Sequence, residues 1–319
     1  MKKDYRFLFG PVPSRRLGRS LGVDLTPHKT CSLDCVFCQL GRTTHKTLDR
    51  EEYVPVQEVK SELAAWVEEG GRTDYITLSG SGEPTLHSRF GEVLKMIRQE
   101  TPFPAVLLTN GTLFWMPAVR KAACHADVAK LSLSVWDQSS FELINRPHRD
   151  LDLKRVIEGQ HAFREEFQGK LWIEVFLVRG MHSVPRDLER IAALAEAIGP
   201  DEIHLNTAVR PPAEEFALPF SRKEMEAVAD LFHPTAKIIA EFPSDKSADV
   251  EANESTILAM LRRRPCSVHQ IAEVFGMHLN EVSKYIGKLS RTGKVCARKM
   301  NGETYYVAVD SQGVQHGDV

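Results

Sequence analysis

Short apolar runs alternate with amphipathic stretches from about residue 20 to residue 242. Six runs rich in leucine and β-branched residues are typical of buried strands, at 20–25, 75–79, 105–109, 129–135, 171–178 and 202–209. The intervening stretches place apolar residues at helical spacing, near 57–69, 87–100, 117–125, 152–168 and 186–198, and another helix is expected at about 221–232. In the first of these, Val59, Leu63 and Trp66 share one face.

This alternation predicts an α/β fold. Strands that are separated by helices pair in parallel through right-handed crossovers. A complete eightfold barrel usually needs about 250 residues, which is more than this region holds. We therefore predict a partial (β/α)6, TIM-like barrel over residues 1–245.

The pattern changes after residue 242. A polar, turn-rich segment predicts a linker at 246–253. Residues 254–310 are typical of a winged helix-turn-helix domain, with Ser267 and Gln270 at capping-box spacing, Gly276 closing a short helix, and Asn301-Gly302 between two strand-like runs as a hairpin signal. A polar tail is expected at 311–319.

Composition narrows the class of protein. The 42% apolar and 26% charged residues are close to globular averages. No apolar run approaches the roughly 18 residues that span a bilayer, and the start lacks the apolar core of a signal peptide, so we expect a cytoplasmic protein with no membrane partner. Basic residues are concentrated in the first fifty positions and over 257–309. This distribution permits a polyanionic partner at both ends, but charge alone slightly favours ordinary solvated surfaces.

Three of the six cysteines lie in one CxxxCxxC segment after the first predicted strand, at Cys31, Cys35 and Cys38. So tight a trio does not predict a disulfide framework. Three thiolates in one loop can each bind one iron of a [4Fe–4S] cluster and leave the fourth iron without a protein ligand. The alternative is a structural zinc site with a fourth ligand from His28 or His45.

A glycine-rich turn, Gly80-Ser81-Gly82-Glu83, follows the second predicted strand. The two glycines would let a ligand approach the backbone closely, and Glu83 could hold a cationic amine. Asn110 follows the third strand and Ser134 ends the fourth. Because active sites of barrels are built at the carboxyl ends of the strands, these positions are candidate contacts for the same ligand. Asn110-Gly111 also has the sequence of an ordinary turn, so a structural role stays open.

The cysteine loop and the glycine-rich turn together resemble the radical S-adenosylmethionine (SAM) superfamily. Its loop has an aromatic residue before the last cysteine, matched by Phe37, and its second-strand motif is GGE-like, with serine here in the second position. The resemblance implies a [4Fe–4S] cluster on the three cysteines and SAM bound against the turn, the residues involved being Gly80, Ser81, Gly82 and Glu83, with Asn110 and Ser134 assisting. It also implies reductive cleavage of SAM to a 5′-deoxyadenosyl radical, fed by a reductant such as flavodoxin or ferredoxin.

Four further segments, at 10–22, 38–43, 145–148 and 205–212, are similar to the wyosine (tRNA 4-demethylwyosine) synthase-like group of that superfamily. This similarity implies modification of tRNA or another nucleotide-like substrate. The namesake carries additional upstream cysteines for a second cluster, and no cysteine precedes Cys31 here. A radical SAM enzyme that modifies a peptide or protein, or an iron–sulfur DNA-binding transcription regulator, are the alternatives.

The predicted winged helix also has two interpretations. Lys284, Lys288 and Arg291 recur at helical spacing along its second helix-turn-helix element, which is typical of phosphate contacts to nucleic acid. The same module could instead pack against the barrel or a partner protein.

Overall fold

The structure is a computed structural model that describes residues 5–14, 16–239, 253–300 and 302–309. The predicted tail and all but the last residue of the predicted linker lie outside these ranges. The chain starts with a hairpin of β1 (Leu8–Ser14) and β2 (Gly18–Val23), followed by the short pair β3 (Thr30–Cys31) and β4 (His45–Lys46).

Strands and helices then alternate as the sequence predicts. In chain order they are α1 (Val56–Glu68), β5 (Tyr75–Leu78), α2 (Phe90–Glu100), β6 (Ala105–Leu108), α3 (Pro117–Ala123), β7 (Val128–Ser132), α4 (Gln138–Ser140), α5 (Leu153–Glu166), β8 (Lys170–Arg179), α6 (Pro185–Ile198), β9 (Glu202–Thr207), β10 (Leu218–Pro219), α7 (Arg222–Ala229) and β11 (Lys237–Ile238). A 3-10 turn, Pro84–Leu86, follows β5, and a π-helical segment, Phe141–Asn145, follows α4.

The main sheet has the order β1-β2-β5-β6-β7-β8-β9-β11. From β2 to β11 every neighbouring pair is parallel, and β1 adds an antiparallel strand at one edge. The six predicted strands correspond to β2, β5, β6, β7, β8 and β9. The prediction of an α/β fold built on a mostly parallel sheet is confirmed.

The two faces of this sheet differ in chemistry because side chains alternate along each strand. One face packs on the helices through residues such as Leu21, Ile76 and Ile173, which belong to the largest hydrophobic core. The opposite face carries buried polar groups, among them Ser20, Thr77, Lys130, Glu174 and Asn206. The barrel interior is therefore polar where the cysteine loop meets it.

The C-terminal unit consists of α8 (Glu254–Leu261), β12 (Cys266–Ser267), α9 (Val268–Phe275), α10 (Leu279–Arg291), β13 (Val295–Met300) and β14 (Glu303–Ala308). Its strands form an antiparallel sheet in the order β12-β14-β13 around a separate hydrophobic core. The capping box of Ser267 and Gln270 is present, and Gly276 ends α9 with a left-handed backbone. These elements follow the order that the sequence predicts for a winged helix, and the assignment to that class stays a prediction.

The C-terminal unit packs against the barrel. Arg263, just after α8, lies 3.4 Å from Asp24 through its Nε and stacks over the Phe9 ring at 4.3 Å. Tyr305 of β14 donates a hydrogen bond to the Val209 carbonyl at 3.3 Å. On α10, Lys284, Lys288 and Arg291 are exposed, and Lys288 pairs with Glu254 at 2.5 Å.

Across the described ranges, no helix combines the length and the apolar character needed to cross a bilayer.

Candidate cofactor site

The cysteine loop begins at β3, which lies outside the main sheet. Backbone hydrogen bonds anchor the loop. The amide of Cys38 donates to the Cys35 carbonyl at 3.1 Å, which closes the last turn of the loop. Asp34 and Val36 donate to the carbonyls of Asn145 and Ile144 at 2.9 and 3.0 Å, so the loop is fastened to the π-helical segment. These bonds hold the backbone of the cysteine loop in place.

Each cysteine sulfur receives a polar hydrogen from a different part of the fold. Asn145 donates to Cys35 Sγ at 3.1 Å, Lys29 Nζ to Cys38 Sγ at 3.2 Å, and Asn110 to Cys31 Sγ at 3.6 Å. Hydrogen bonds of this kind stabilise sulfur when it carries negative charge and tune an iron–sulfur centre. The loop is therefore prepared for thiolates.

The electrostatic environment disfavours the charged forms of two of the loop cysteines. Burial raises the pKa of Cys31 to about 12, and the Glu83 carboxylate adds to the effect. The pKa of Cys35 is also raised, first by burial and then by the charges of Cys38 and Cys31. Burial thus favours the neutral form of Cys31 and Cys35, and binding of a metal would require these two thiols to lose their protons.

These residues fit an iron–sulfur cluster better than a single metal ion. Within the described parts of the chain, no three His, Cys, Asp or Glu side chains are grouped closely enough to hold one metal ion. A [4Fe–4S] cluster does not need such a group, because each thiolate binds a separate iron. The zinc alternative with His28 or His45 therefore gains no support from the geometry.

The glycine-rich turn lies directly against the cysteine loop. Lys29 donates its amide to the Ser81 carbonyl at 2.6 Å, and Glu83 donates its amide to the Thr30 carbonyl at 3.0 Å. A side chain at Gly82 would collide with the Thr30 carbonyl, and a side chain at Gly80, whose φ is +146°, would collide with the Asp24 carboxylate. The close approach that both glycines permit in this structure is to the protein's own atoms.

Glu83, after β5, forms hydrogen bonds with residues that follow β6. Its Oε1 accepts hydrogen bonds from the Thr85 amide, the Thr85 hydroxyl and the Thr109 hydroxyl at 3.0, 2.6 and 2.5 Å. Its Oε2 accepts from the Asn110 amide at 2.8 Å. The side chain is 3% exposed. Oε1 therefore accepts three hydrogen bonds and Oε2 accepts one, so Oε2 is the less crowded of the two oxygens.

Asn110 connects Glu83 to the cysteine loop. Its side-chain amide donates to Ser32 Oγ at 2.9 Å as well as to Cys31, while its backbone amide is held by Glu83. The structure therefore brings Glu83, Asn110 and Cys31 into one group of contacts. The signal for an ordinary turn at Asn110-Gly111 is also present, since Gly111 has a φ of +76°.

Ser81 and Ser134 have structural partners of their own. Ser81 donates through its hydroxyl to Asp24 Oδ2 at 2.5 Å and through its amide to Oδ1 at 3.1 Å. Ser134, two residues beyond β7, accepts the Phe176 amide on its hydroxyl at 2.8 Å. Its carbonyl is 2.8 Å from His182 Nε2. Ser134 is thus held towards β8, apart from the contacts that join Glu83, Asn110 and Cys31.

The polar face of the sheet also contains a buried cluster of charged residues that the sequence does not predict. Lys130 Nζ lies 2.9 Å from Glu174 Oε2, and Asn206 and Arg16 both contact Glu174 Oε1. Burial and, to a smaller extent, the charge of Arg16 lower the pKa of Lys130 to about 7. The available signal was a lysine alternating with apolar residues inside a predicted strand.

The chain is similar to proteins of a known superfamily. The profile of the radical SAM superfamily matches residues 25–195. A protein of Brachyspira hyodysenteriae named GTPase Obg is 35% identical over 303 residues, which cover 94% of this chain and 45% of that protein. This chain thus spans less than half the length of that relative. The UPF0026 protein of Methanocaldococcus jannaschii is 30% identical over 306 residues, which cover 94% of this chain and 95% of that protein.

The chain is also similar to a more distant relative and to a solved structure. The probable dual-specificity RNA methyltransferase RlmN of Bifidobacterium adolescentis is 25% identical over 236 residues, covering 69% of this chain and 60% of that protein. The structure of TYW1 with a lysine-pyruvate adduct bound superposes with a TM-score of 0.54 and 16% identity, covering 72% of this chain and 76% of that one. At that identity the superposition establishes the shared fold.

Proposed function

This chain belongs to the radical SAM superfamily, whose enzymes use a [4Fe–4S] cluster and SAM, and we propose that it modifies RNA or another nucleotide-like substrate. In this proposal Cys31, Cys35 and Cys38 hold the cluster. SAM binds against the turn from Gly80 to Glu83. When bound, the cluster and SAM supply the 5′-deoxyadenosyl radical that abstracts hydrogen from the substrate.

The contacts of Asn110 are the main support for the assignment of the cofactor residues. Asn110 donates to Glu83 through its backbone and towards Cys31 through its side chain. It therefore joins the turn proposed for SAM to the loop proposed for iron within a single residue. A ligand held by both segments would be aligned by contacts that exist before it arrives, which is the preorganisation that orientation of a reactive group requires.

The individual side chains have distinct tasks in this arrangement. In the proposal the Oε2 atom of Glu83, which accepts a single hydrogen bond from the protein, binds the ammonium group of SAM. Ser81 is held by Asp24 and fixes the backbone of the turn. Asn110 and Ser134 assist SAM binding in the proposal, Asn110 from beside the cluster and Ser134 from the end of the next strand.

The substrate class rests on two supports. The segments at 10–22, 38–43, 145–148 and 205–212 resemble the wyosine synthase-like group, and the Bifidobacterium adolescentis relative is named as an RNA methyltransferase. Enzymes of the superfamily need an external reductant, and we propose flavodoxin or ferredoxin for that role.

Mass spectrometry of nucleosides tests the substrate class. Total RNA is digested from a strain that lacks the gene, and from the same strain carrying either the wild-type gene or Cys31→Ala. We expect one modified nucleoside that is present only with the wild-type gene. Identical nucleoside profiles in all three strains would contradict a role in RNA modification.

A further inference from the structure

A cavity of about 190 Å³ lies on the polar face of the sheet and is bordered by both parts of the chain. Strands β2 and β5 supply Ser20 and Thr77 to its wall, and Arg210 follows the end of β9. Arg264 reaches it from the C-terminal unit. The volume is many times that needed for one water molecule.

The lining of this cavity is strongly biased in charge. Three arginines border it, Arg16, Arg210 and Arg264, and none of its described lining residues is an aspartate or glutamate. Glu174 contacts one of these arginines, Arg16, and it also contacts Lys130 and Asn206. Arg210 is 3% exposed, and its Nη1 donates to Gln39 at 3.1 Å.

Such a set of guanidinium groups has a defined chemical preference. Each guanidinium is always charged and presents paired donors that match the oxygens of carboxylate and phosphate groups. Three of them border one small space, and the positive charge that they bring there favours a negatively charged oxyanion. The hydroxyl groups of Ser14 and Ser79 on the same wall add neutral donors.

We propose that this cavity binds an oxyanion of the substrate, a phosphate or carboxylate group, and that the C-terminal unit completes the site with Arg264. This inference deepens the proposed function, on which it rests, because it states which chemical group would anchor the substrate on the polar face of the sheet. It also gives the C-terminal unit a task at the site besides packing.

Arg264 is the informative position because its neighbour offers a matched control. Arg262 is an exposed arginine two residues away that does not line this cavity. Arg264 donates to the thioether of Met260 at 3.6 Å, a weak contact, and its amide is held by the Met260 carbonyl. Replacing the Arg264 side chain therefore removes a guanidinium from the cavity and leaves the backbone bond intact.

The experiment is anaerobic titration calorimetry of the full, cluster-reconstituted chain at low ionic strength. The probes are inorganic phosphate and malonate, two small dianions that represent the two possible oxyanions. We expect the wild type to bind at least one of them, and the stronger binder identifies the anchoring group. Arg264→Gln should weaken that binding about tenfold or more, because a charged hydrogen bond is lost. Arg262→Gln should bind as the wild type does.

Arg264→Lys separates the effect of charge from that of donor geometry, since it keeps the charge without the forked donors. Its affinity for the probe should lie between those of the wild type and Arg264→Gln. Failure of both probes to bind the wild type at millimolar concentration would overturn the proposal. Equal weakening by Arg264→Gln and Arg262→Gln would also overturn it. Production of 5′-deoxyadenosine is measured separately, so a failure of the proposed enzyme activity is distinguishable from a failure of this site.

Discussion

Arg263 in the C-terminal unit lies 3.4 Å from the carboxylate of Asp24, which directly follows strand β2 in the barrel. The same carboxylate accepts two hydrogen bonds from Ser81 in the glycine-rich turn. Both partners of the ion pair are largely buried, with side chains 14% and 10% exposed. One charged contact therefore connects the C-terminal unit to the turn proposed for SAM.

Removal of Arg263 is expected to destabilise the whole chain. Burial raises the pKa of Asp24, while Arg263 favours its charged form, so Arg263→Gln leaves a buried carboxylate without its cation. Breaking a buried pair in this way costs about 3 kcal/mol of unfolding free energy, measurable by denaturant titration. Arg262→Gln is the exposed control and should cost little. If Asp24→Asn combined with Arg263→Gln is no more stable than Arg263→Gln alone, the ion pair is not the cause.

Loss of Asn145 should lower the reduction potential of the cluster. Asn145 donates to Cys35 Sγ at 3.1 Å, and hydrogen bonds to cluster sulfurs favour the reduced, more negative state. Asn145→Ala keeps the backbone carbonyl that anchors Asp34. Spectroelectrochemical titration should therefore show a more negative midpoint than the wild type, with unchanged iron content. The exposed substitution Asn280→Ala serves as control, and an unshifted midpoint in Asn145→Ala would contradict the contact.

Glu83→Gln should weaken SAM binding while the iron content stays at the wild-type level. The substitution removes the negative charge proposed to hold the SAM ammonium. It also replaces one acceptor oxygen by an amide in a side chain that now accepts four hydrogen bonds, so a lower melting temperature is expected too. Equilibrium dialysis gives the SAM dissociation constant. Glu100→Gln is the exposed control, and equal SAM affinity in the wild type and Glu83→Gln would argue against this placement.

His182 should make stability depend on pH below about 6.5. The His182 ring is buried, Nδ1 accepts the Val178 amide at 3.0 Å, and Nε2 lies 2.8 Å from the Ser134 carbonyl. Burial lowers the pKa of His182. Near pH 6 and below, the unfolded chain therefore binds a proton on His182 that the folded chain does not bind. The stability that the neutral ring provides is therefore present above the unfolded pKa and is lost as pH falls through it.

The measurement compares unfolding free energies of the wild type and His182→Gln between pH 7.5 and pH 5. The advantage of the wild type should shrink towards the acid end, because only the wild type carries the buried imidazole. His269→Gln, at an exposed position, should show no such trend. A constant difference between wild type and His182→Gln across this range would show that His182 does not titrate as described.

Much of the barrel could be predicted from periodicity. The apolar runs around Ile76 and Val106 are flanked by turns and correspond to β5 and β6 within a residue at either end. The helix starting at Val56 begins one residue before its predicted start, because Pro55 precedes it with an extended backbone. Local spacing decides these boundaries, and tertiary contacts do not change them.

The contacts between distant segments could not be predicted in the same way. Asp24 and Lys130 have no local motif, and their partners Arg263 and Glu174 lie far away in the chain. The glycine-rich turn was expected to admit a ligand, yet in the structure Gly82 admits the Thr30 carbonyl. Such pairings depend on how the sheet brings strand ends together, which a single sequence does not specify at the level of atoms.

Reductive cleavage of SAM tests the central assignment most directly. The chain is reconstituted anaerobically with iron and sulfide, reduced with dithionite in the presence of SAM, and assayed for 5′-deoxyadenosine by mass spectrometry. The wild type and the control Cys124→Ala, which alters a cysteine outside the loop, should both produce 5′-deoxyadenosine. The triple variant Cys31→Ala/Cys35→Ala/Cys38→Ala should produce none. Product formation by the triple variant, or its absence from a wild type that carries four irons, would contradict the account.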